Sequence, residues 1–549
     1  MRKKLLTTLM AIAMTASLIA GCGSQSTSDG ETASSDTATT SSGGASADAG
    51  TKAEVSEAAT KVDKVVVAVD DDSFTIAPWG SEGSVRDWTE HTIWAHLCYR
   101  PFVGAMLESG ELQMNAAKSV EKVDDLTYNI EIYDNIKDSQ GNAITAEDVV
   151  YSYDKLLELG FVSEISVYYG SSEATGDYTL TLKLKDGSEG AIEAVLCDCS
   201  IVSKDWYENA SDDEINSNPA TTGAYTVSNV QAGSSVTLNA NADYWKSGDK
   251  ADVEVQNVDA IEIRCITEAS SRAIALENGE VDMAEVSSDD VGRFEGNGDF
   301  NVTKYLNAMT QYLIFNCSDS SVCSDVNVRK AIAYGFDAYN MSLSAGDCVI
   351  SHDVAPNLGP DYVQAWDSQS YFDYDLEAAK GYLEAAGYSE SNPLEVSILV
   401  TSQAPQQPYV ALQAMLAEVG ITLNIDGQDR AARQAVQNDK TAWDISEYSN
   451  QVVDFTTTYW NDLFGGSDNQ CFVQDDKLQE LLKNAIADRS EENMNAFHDY
   501  VVDQAYIVGA YTENKSIVTT SGITNISLEK LNPVLNAMTF TSDYESVDK

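Results

Sequence analysis

Hydrophobic and polar residues alternate with period two over Leu126-Thr127-Tyr128-Asn129-Ile130-Glu131-Ile132, and again where Tyr178, Leu180, Leu182 and Leu184 are separated by Thr179, Thr181 and Lys183. Successive strand side chains point to opposite faces, so both runs predict half-buried strands. Elsewhere the period changes. Leu412, Met415, Leu416 and Val419 fall at i, i+3, i+4 and i+7, with Gly420 placed to stop a helix, and Val328, Ala331, Ile332 and Gly335 repeat the spacing. Thr145 with Asp148 three residues on is a variant of the capping box, so a helix is expected to begin near Ala146. No self-similarity at solenoid or propeller periods appears. Strands alternating with helices predict an α/β protein.

The first residues follow another pattern. Arg2, Lys3 and Lys4 precede an apolar stretch from Leu5 to Ala20, which is short for a membrane span and right for an export signal. It ends in Leu18-Ile19-Ala20-Gly21-Cys22, which resembles the bacterial lipobox, whose cysteine is acylated and becomes the new N-terminus. The same residues also allow a plain signal peptide with an incidental cysteine. Residues 1–21 are thus expected to be a lipoprotein leader. Residues 22–61 are expected to be the lipidated Cys22 and a flexible Ser, Thr, Ala, Gly and Asp linker with a reach of about 35 Å.

Charge then narrows the partners. The 549 residues include 33 Lys and Arg against 87 Asp and Glu, a net charge of −54. Nucleic-acid binding draws most of its affinity from Lys and Arg neutralising phosphates, so it is excluded. Contact with a bilayer must come through the lipid anchor alone.

Catalytic chemistry leaves little trace. The chain has no HExxH, GxSxG or Walker A pattern, and Gly296-Asn297-Gly298 is only a fragment of a dinucleotide loop. His91 and His96 are five apart and share no helical face, which argues against a metal pair. The cysteines beyond Cys22 are irregularly spaced; Cys317 and Cys323 could close a small loop, but buried free thiols are expected for most. Carboxylate neighbours such as Asp124-Asp125 are guaranteed by abundance, so a hydrolase using cleft carboxylates stays open only as an alternative.

Several segments in series resemble the extracellular solute-binding protein family 5, the receptors of oligopeptide, dipeptide, nickel and related ABC importers. They are Ala117-Lys118-Ser119-Val120, Leu126-Thr127-Tyr128 and the run from Gly141 to Val150, then Thr222-Gly223-Ala224-Tyr225, Asn241 to Trp245, and Asn278-Gly279-Glu280-Val281-Asp282. Phe315-Asn316, Asp325 to Asp337, Tyr374-Asp375, Ala386-Gly387-Tyr388 and Gly420-Ile421 follow in order. Most of these landmarks read physically as fold-builders: Gly141, Gly279 and Gly387 at turns or helix ends, Asp375 as an N-cap, Tyr244 and Trp245 as core anchors.

The resemblance implies a two-lobed periplasmic-binding-protein-like α/β fold of type II, cluster C, with an inserted extra domain and a hinge. It places domain I in residues 62–104, 215–305 and 520–549, domain II in 105–214 and domain III in 306–519. It implies a monomer without cofactor that captures a small polar solute, peptide or oligosaccharide, and hands it to ABC permease subunits from the outer side of the cell membrane. A sensory receptor of the same fold is a further alternative.

In family members that take peptides, an aspartate after a strand ending in tryptophan pairs with the peptide's ammonium group. Along Trp443 to Asp454 the resemblance puts Tyr448 at the tryptophan and Gln451 at the aspartate. A neutral glutamine suits hydroxyls or amides better than a cation. Asp454, three residues on, is the alternative partner. The matched loops bring Pro78 to Ser81, including Trp79, to the cleft, with Tyr312, Trp94 and Tyr99 as further aromatic contacts.

Overall fold

The computed structural model describes residues 61–547 apart from 71–74, 80–83, 100–101, 104–107, 110–111, 160–163, 186, 188–190, 247–255, 352–353, 356–360, 370, 403–405, 450–454, 467–468 and 530–531. The expected leader, Cys22 and the linker up to residue 60 lie outside the described residues.

The first strand, Val62–Val69, reads VDKVVVAV, a run rich in β-branched residues with hardly a polar break. Such a strand is buried on both faces. Val65 and Val67 enter one apolar core, while Val66 and Ala68 enter a smaller one behind the sheet with Leu276 and Phe294. Parallel partners flank the strand on both sides, Val258–Cys265 and Met283–Val286.

From there one sheet of eleven strands runs through the molecule. Its middle is a pair of long antiparallel strands, Phe300–Phe315 and Ile507–Thr520, in register from Phe300↔Thr520 to Ile314↔Ile507. The register shifts between Leu306 and Thr310 and between Gln311 and Tyr312. Shifts of this kind leave residues unpaired and bend a strand. One end of the pair sits beside Met283–Val286; the other continues through Ile445–Tyr448, Leu394–Thr401 and Ile421–Gln428.

The two halves of the sheet carry separate cores. The first gathers Val65, Trp94, Tyr225 and Ile261 together with the four-stranded antiparallel sheet of Ala117–Lys122, Thr127–Ile132, Tyr169–Gly176 and Thr179–Leu184. The second lies between Tyr312 and Tyr511 and includes Trp366, Leu412, Trp460 and Phe497. We refer to these halves as the first and second lobe. Among the described residues no helix is long and apolar enough to cross a membrane.

Local expectations meet the structure closely. The helix Ala146–Leu159 starts where Thr145 and Asp148 predict, with the Asp148 carboxylate accepting both the Thr145 N–H and its hydroxyl at 2.7 Å. The helix Gln407–Val419 ends on Gly420 at φ 100°, a left-handed conformation that costs a glycine little. Gly335 serves differently: its φ is −84°, and a Cβ there would stand 2.5 Å from a Val419 methyl. Asp375 caps its helix through the N–H groups of Glu377 and Ala378, and Tyr244 and Trp245 are buried. Leu126 departs from the alternation at 41% exposure, because its N–H closes an Asx turn on Asp124 and the strand begins one residue later. All eight cysteines of the body are free, and Cys98, Cys197, Cys199, Cys323 and Cys471 are buried.

Candidate functional site

The helix Thr456–Phe464 separates its faces cleanly. Tyr459, Trp460, Leu463 and Phe464 are buried in the second lobe, while Thr458, Asn461, Asp462 and the following Gly465 fall at i, i+3, i+4 and i+7 on the opposite side. That stripe faces the first lobe. Thr458 Oγ1 lies 2.7 Å from the hydroxyl of Tyr168, a residue of the first core. Asn461 and Gly465 line a cavity of about 600 Å³ with Gln479, Lys483 and Ile486 of the next helix, Asp476–Ala487, and the far wall is Asp125 and Gly187 from the four-stranded sheet side. The lobes thus confront each other across a space lined by polar and apolar side chains together, Leu482 and Ile486 beside Asn461 and Lys483.

The start of this helix is fixed by a buried ion pair. Asp361 accepts the N–H groups of Thr456 at 2.6 Å and Thr457 at 3.1 Å, and the Thr457 hydroxyl at 2.9 Å. Arg489 sits 3.3 Å from the same carboxylate, donates to Thr457 Oγ1 at 2.8 Å and covers the Phe455 ring at 3.9 Å. A carboxylate at a helix N-terminus satisfies orphan donors and complements the dipole.

Beside the helix, the strand Ile445–Tyr448 pairs with the long strand so that Tyr448 faces Tyr312 in register. Both rings lean on Tyr459, at 5.2 Å from Tyr312 and 5.9 Å from Tyr448. The Tyr448 hydroxyl donates to Asp462, and burial, reinforced by that carboxylate, holds the phenol well above its ordinary range. The Tyr459 hydroxyl, on a residue 2% exposed, has no hydrogen-bond partner among the described residues. Behind Tyr448, Glu447 accepts the Thr401 N–H at 2.5 Å and the Tyr409 hydroxyl, and Arg433 donates to the Glu447 carbonyl at 2.5 Å. Asp444 accepts from Ser397 N at 2.9 Å and Ser321 Oγ at 2.8 Å. The Glu447 bonds hold the strand end that carries Tyr448, and the Asp444 bonds hold the other end.

The predicted contacts distribute unevenly. Tyr312 and Tyr448 come together, Tyr448 half-buried and Tyr312 only 1% exposed. Trp79 is buried in the first lobe, donating from Nε1 to the Ser200 carbonyl at 3.2 Å with its ring against Tyr207. Trp94 is likewise buried and donates to the Ile76 carbonyl. Tyr99 packs against His91 and His96. Gln451 and Asp454 lie outside the described residues, as does Cys22. Asp462 was not singled out from the sequence, yet the segregation of Thr458, Asn461 and Asp462 from Tyr459, Trp460 and Leu463 is a readable amphipathic signal.

One cluster gathers against its spacing. The helix Ser84–Ile93 ends between the two histidines, so the chain turns and brings the His91 and His96 rings to 4.5 Å. Burial alone would raise the Glu90 carboxyl, but Arg86 and the two imidazoles overcome it and hold it well below the usual range. Ser200 Oγ lies 3.2 Å from Glu90 Oε1 and 3.5 Å from His96 Nε2, the same nitrogen that Glu90 approaches at 3.6 Å. A hydrolytic relay needs nucleophile and acid on opposite imidazole nitrogens, so this is a structural cluster. Among the described residues no three His, Cys, Asp or Glu side chains are placed to hold a metal ion.

Comparison with known proteins completes the picture. The family model described as bacterial extracellular solute-binding proteins, family 5 middle, matches residues 111–470. The nickel-binding protein NikA of Staphylococcus aureus is 23% identical over 347 residues, covering 62% of this chain and 67% of its own. The probable D,D-dipeptide-binding periplasmic protein DdpA of Escherichia coli is 23% identical over 489 residues, covering 83% and 90%. Among solved structures, the oligopeptide-binding protein AppA of Bacillus subtilis in complex with a nonapeptide superposes with a TM-score of 0.72 at 18% identity, over 88% of this chain and all of that one.

Proposed function

Since the chain belongs to the bacterial extracellular solute-binding proteins of family 5, we propose that its two lobes close on a small polar organic solute, peptide or oligosaccharide, held between the helix stripe Thr458–Gly465 and the first lobe. Its fold is the two-lobed type II periplasmic-binding-protein fold, and its role is capture for an ABC importer rather than chemistry, from an extracytoplasmic position that no helix of the described residues spans. The observation that carries the reading is the pair of separate cores joined by two long strands and facing each other across a cavity of mixed polar and apolar lining. Closure can be driven only by contacts that the solute makes better in the closed form, so both walls must contribute.

Two finer points belong to the same proposal. Domain I is residues 62–104, 215–305 and 520–549, domain II 105–214 and domain III 306–519. In favour of this division, the four-stranded sheet falls wholly within 105–214 and the second core within 306–519. Cys22 carries the acyl chains that anchor the exported protein, since stable attachment of a body with this charge needs lipid rather than basic residues.

The test is a thermal-shift screen of the purified, processed chain against di- to hexapeptides and short oligosaccharides. A native-state ligand at 100 times its dissociation constant adds about 2.7 kcal/mol. A solute that raises the midpoint and is recovered chemically unchanged supports capture; a solute recovered cleaved refutes it.

A further inference from the structure

Three of the free thiols gather in the second lobe. Cys317 follows the long strand Phe300–Phe315 by two residues, Cys323 lies in the short 3-10 helix Val322–Ser324, and Cys471 stands between the helices Thr456–Phe464 and Asp476–Ala487. Cys323 and Cys471 belong to the second core, and Cys317 packs half-buried against it. Among the described residues these thiols join no group placed to hold a metal ion, so the chemistry open to them is with each other.

The backbone singles out one pair. The Cys317 N–H donates to the Cys471 carbonyl at 2.9 Å. With about 1.5 Å from that nitrogen to its Cα and about 2.4 Å from the carbonyl oxygen to its own, the two Cα atoms stand at most about 6.8 Å apart. Disulfides span about 4.4–6.8 Å between Cα atoms. Both backbones are held in place: Asn316 donates from its N–H to the Asp444 carbonyl at 2.9 Å and from its amide to the Trp443 carbonyl at 2.7 Å, and the Cys471 N–H reaches the Leu463 carbonyl at 3.4 Å. The Cys317 thiol spends its weak donor on the Phe315 carbonyl at 3.4 Å, which a turn about its Cα–Cβ bond releases. Cys323 is held by other partners, its N–H on Ser321 Oγ at 3.1 Å and its carbonyl on Arg329 at 2.8 Å.

We propose that Cys317 and Cys471 join in a disulfide when the exported chain folds in the presence of a disulfide donor. One cysteine thiolate attacks the donor and expels one donor thiolate, leaving a mixed disulfide; the second cysteine thiolate attacks the protein sulfur of that bond and expels the other. The two cysteines lose two electrons and two protons, and the donor gains them as two thiols. An extracytoplasmic position is where such a bond persists. Burial raises the Cys317 thiol to about 11 and the Cys471 thiol well above its ordinary value, with Cys317 adding to the rise at Cys471. Neither exchanges readily once the reduced lobe is packed, so the bond forms during folding. It links positions 154 apart and ties the end of a strand that joins the lobes to the segment between two helices lining the cavity. It takes the place of the small Cys317–Cys323 loop that spacing alone allows.

The experiment takes the processed full chain, unfolded and reduced, and refolds it in a mixture of reduced and oxidised glutathione. Remaining thiols are alkylated, the chain is digested without reduction, and the peptides are identified by mass spectrometry. The expected product is a peptide pair joining Cys317 to Cys471 that disappears on reduction. The oxidised chain should melt roughly 4–16 °C above the reduced one. Cys317→Ser and Cys471→Ser should each abolish the pair and that difference, and Cys323→Ser should keep both. A link from Cys323 to either partner, recovery of Cys317 and Cys471 both alkylated, or a melting difference that persists in Cys317→Ser overturns the assignment. The peptide mapping is read on wild type, so it decides the proposal even where a variant folds poorly.

Discussion

Replacing Asp361 by Ala is expected to destabilise the second lobe severely. The side chains of Asp361 and Arg489 are only 2% and 5% exposed, so removing the carboxylate takes one buried partner out of a charged pair. Breaking one side of a buried pair costs about 3–5 kcal/mol, far more than the net worth of the intact pair. Two helix N–H groups also lose their acceptor. For a lobe of this size each kcal/mol lowers the midpoint by about 2–4 °C, so a fall of roughly 6–20 °C is expected. Asp361→Asn keeps a capping oxygen without the charge and isolates the electrostatic part, since a lost cap alone costs about 1 kcal/mol. The assay is thermal and urea unfolding followed by near-ultraviolet circular dichroism, run as a cycle with Arg489→Ala and the double variant. A loss below about 1 kcal/mol for Asp361→Ala, or a double variant that costs the full sum of the singles, refutes the reasoning.

Three other outcomes follow from the same structure. Tyr168→Phe removes the hydroxyl that meets Thr458 across the lobes; at about 0.5–1.5 kcal/mol for a hydrogen bond, the ratio of closed to open molecules should fall roughly two- to twelvefold, read by energy transfer between dyes on the two lobes. Glu90 titrates below its unfolded value, so its contribution is complete above about pH 4.3 and is lost as pH drops towards the folded value; Glu90→Gln should therefore cost stability at pH 7 and progressively less below pH 4, measured by urea midpoints, and a difference independent of pH contradicts this. Burial raises the thiols of Cys317 to about 11 and of Cys98 and Cys348 to about 12. Their thiolate fraction near neutrality is then negligible, and thiol-reactive dyes should label them slowly in the native chain but rapidly once it is unfolded at alkaline pH.

The parts of the fold legible in the sequence are those written within a few residues. Alternation over Thr127–Ile132 and the Thr145 and Asp148 pair are local patterns, and local sterics settle them. Residues far apart in sequence are another matter. Nothing near Tyr312 announces that it will lie opposite Tyr448, because their meeting depends on the register of two strands fixed by a whole core. His91 and His96 look separate on a helical wheel and touch only because the helix stops at Ile93. Trp79 reads from the sequence as a cleft contact by family likeness and as a core anchor by its residue type, and its bond to Ser200 shows where its indole is spent. Asp462 was hidden by numbers: among 87 acids, the one that takes the Tyr448 hydroxyl has no compositional mark.

The paired long strands also bear on how such a chain is made. Met283–Val286 completes its hydrogen bonding only with Ser516–Thr519, and the strand Val62–Val69 is tied through Lys64 to Tyr544 and through Asp282 to Val547. The second lobe needs Ile507 and Val508 opposite Ile314 and Leu313. As the chain is made from its N-terminus, neither lobe can finish its sheet until residues 507–520 have been added. Contacts of such long range are slow to form, so closing this central pair of strands is expected to be a late step of folding in both lobes.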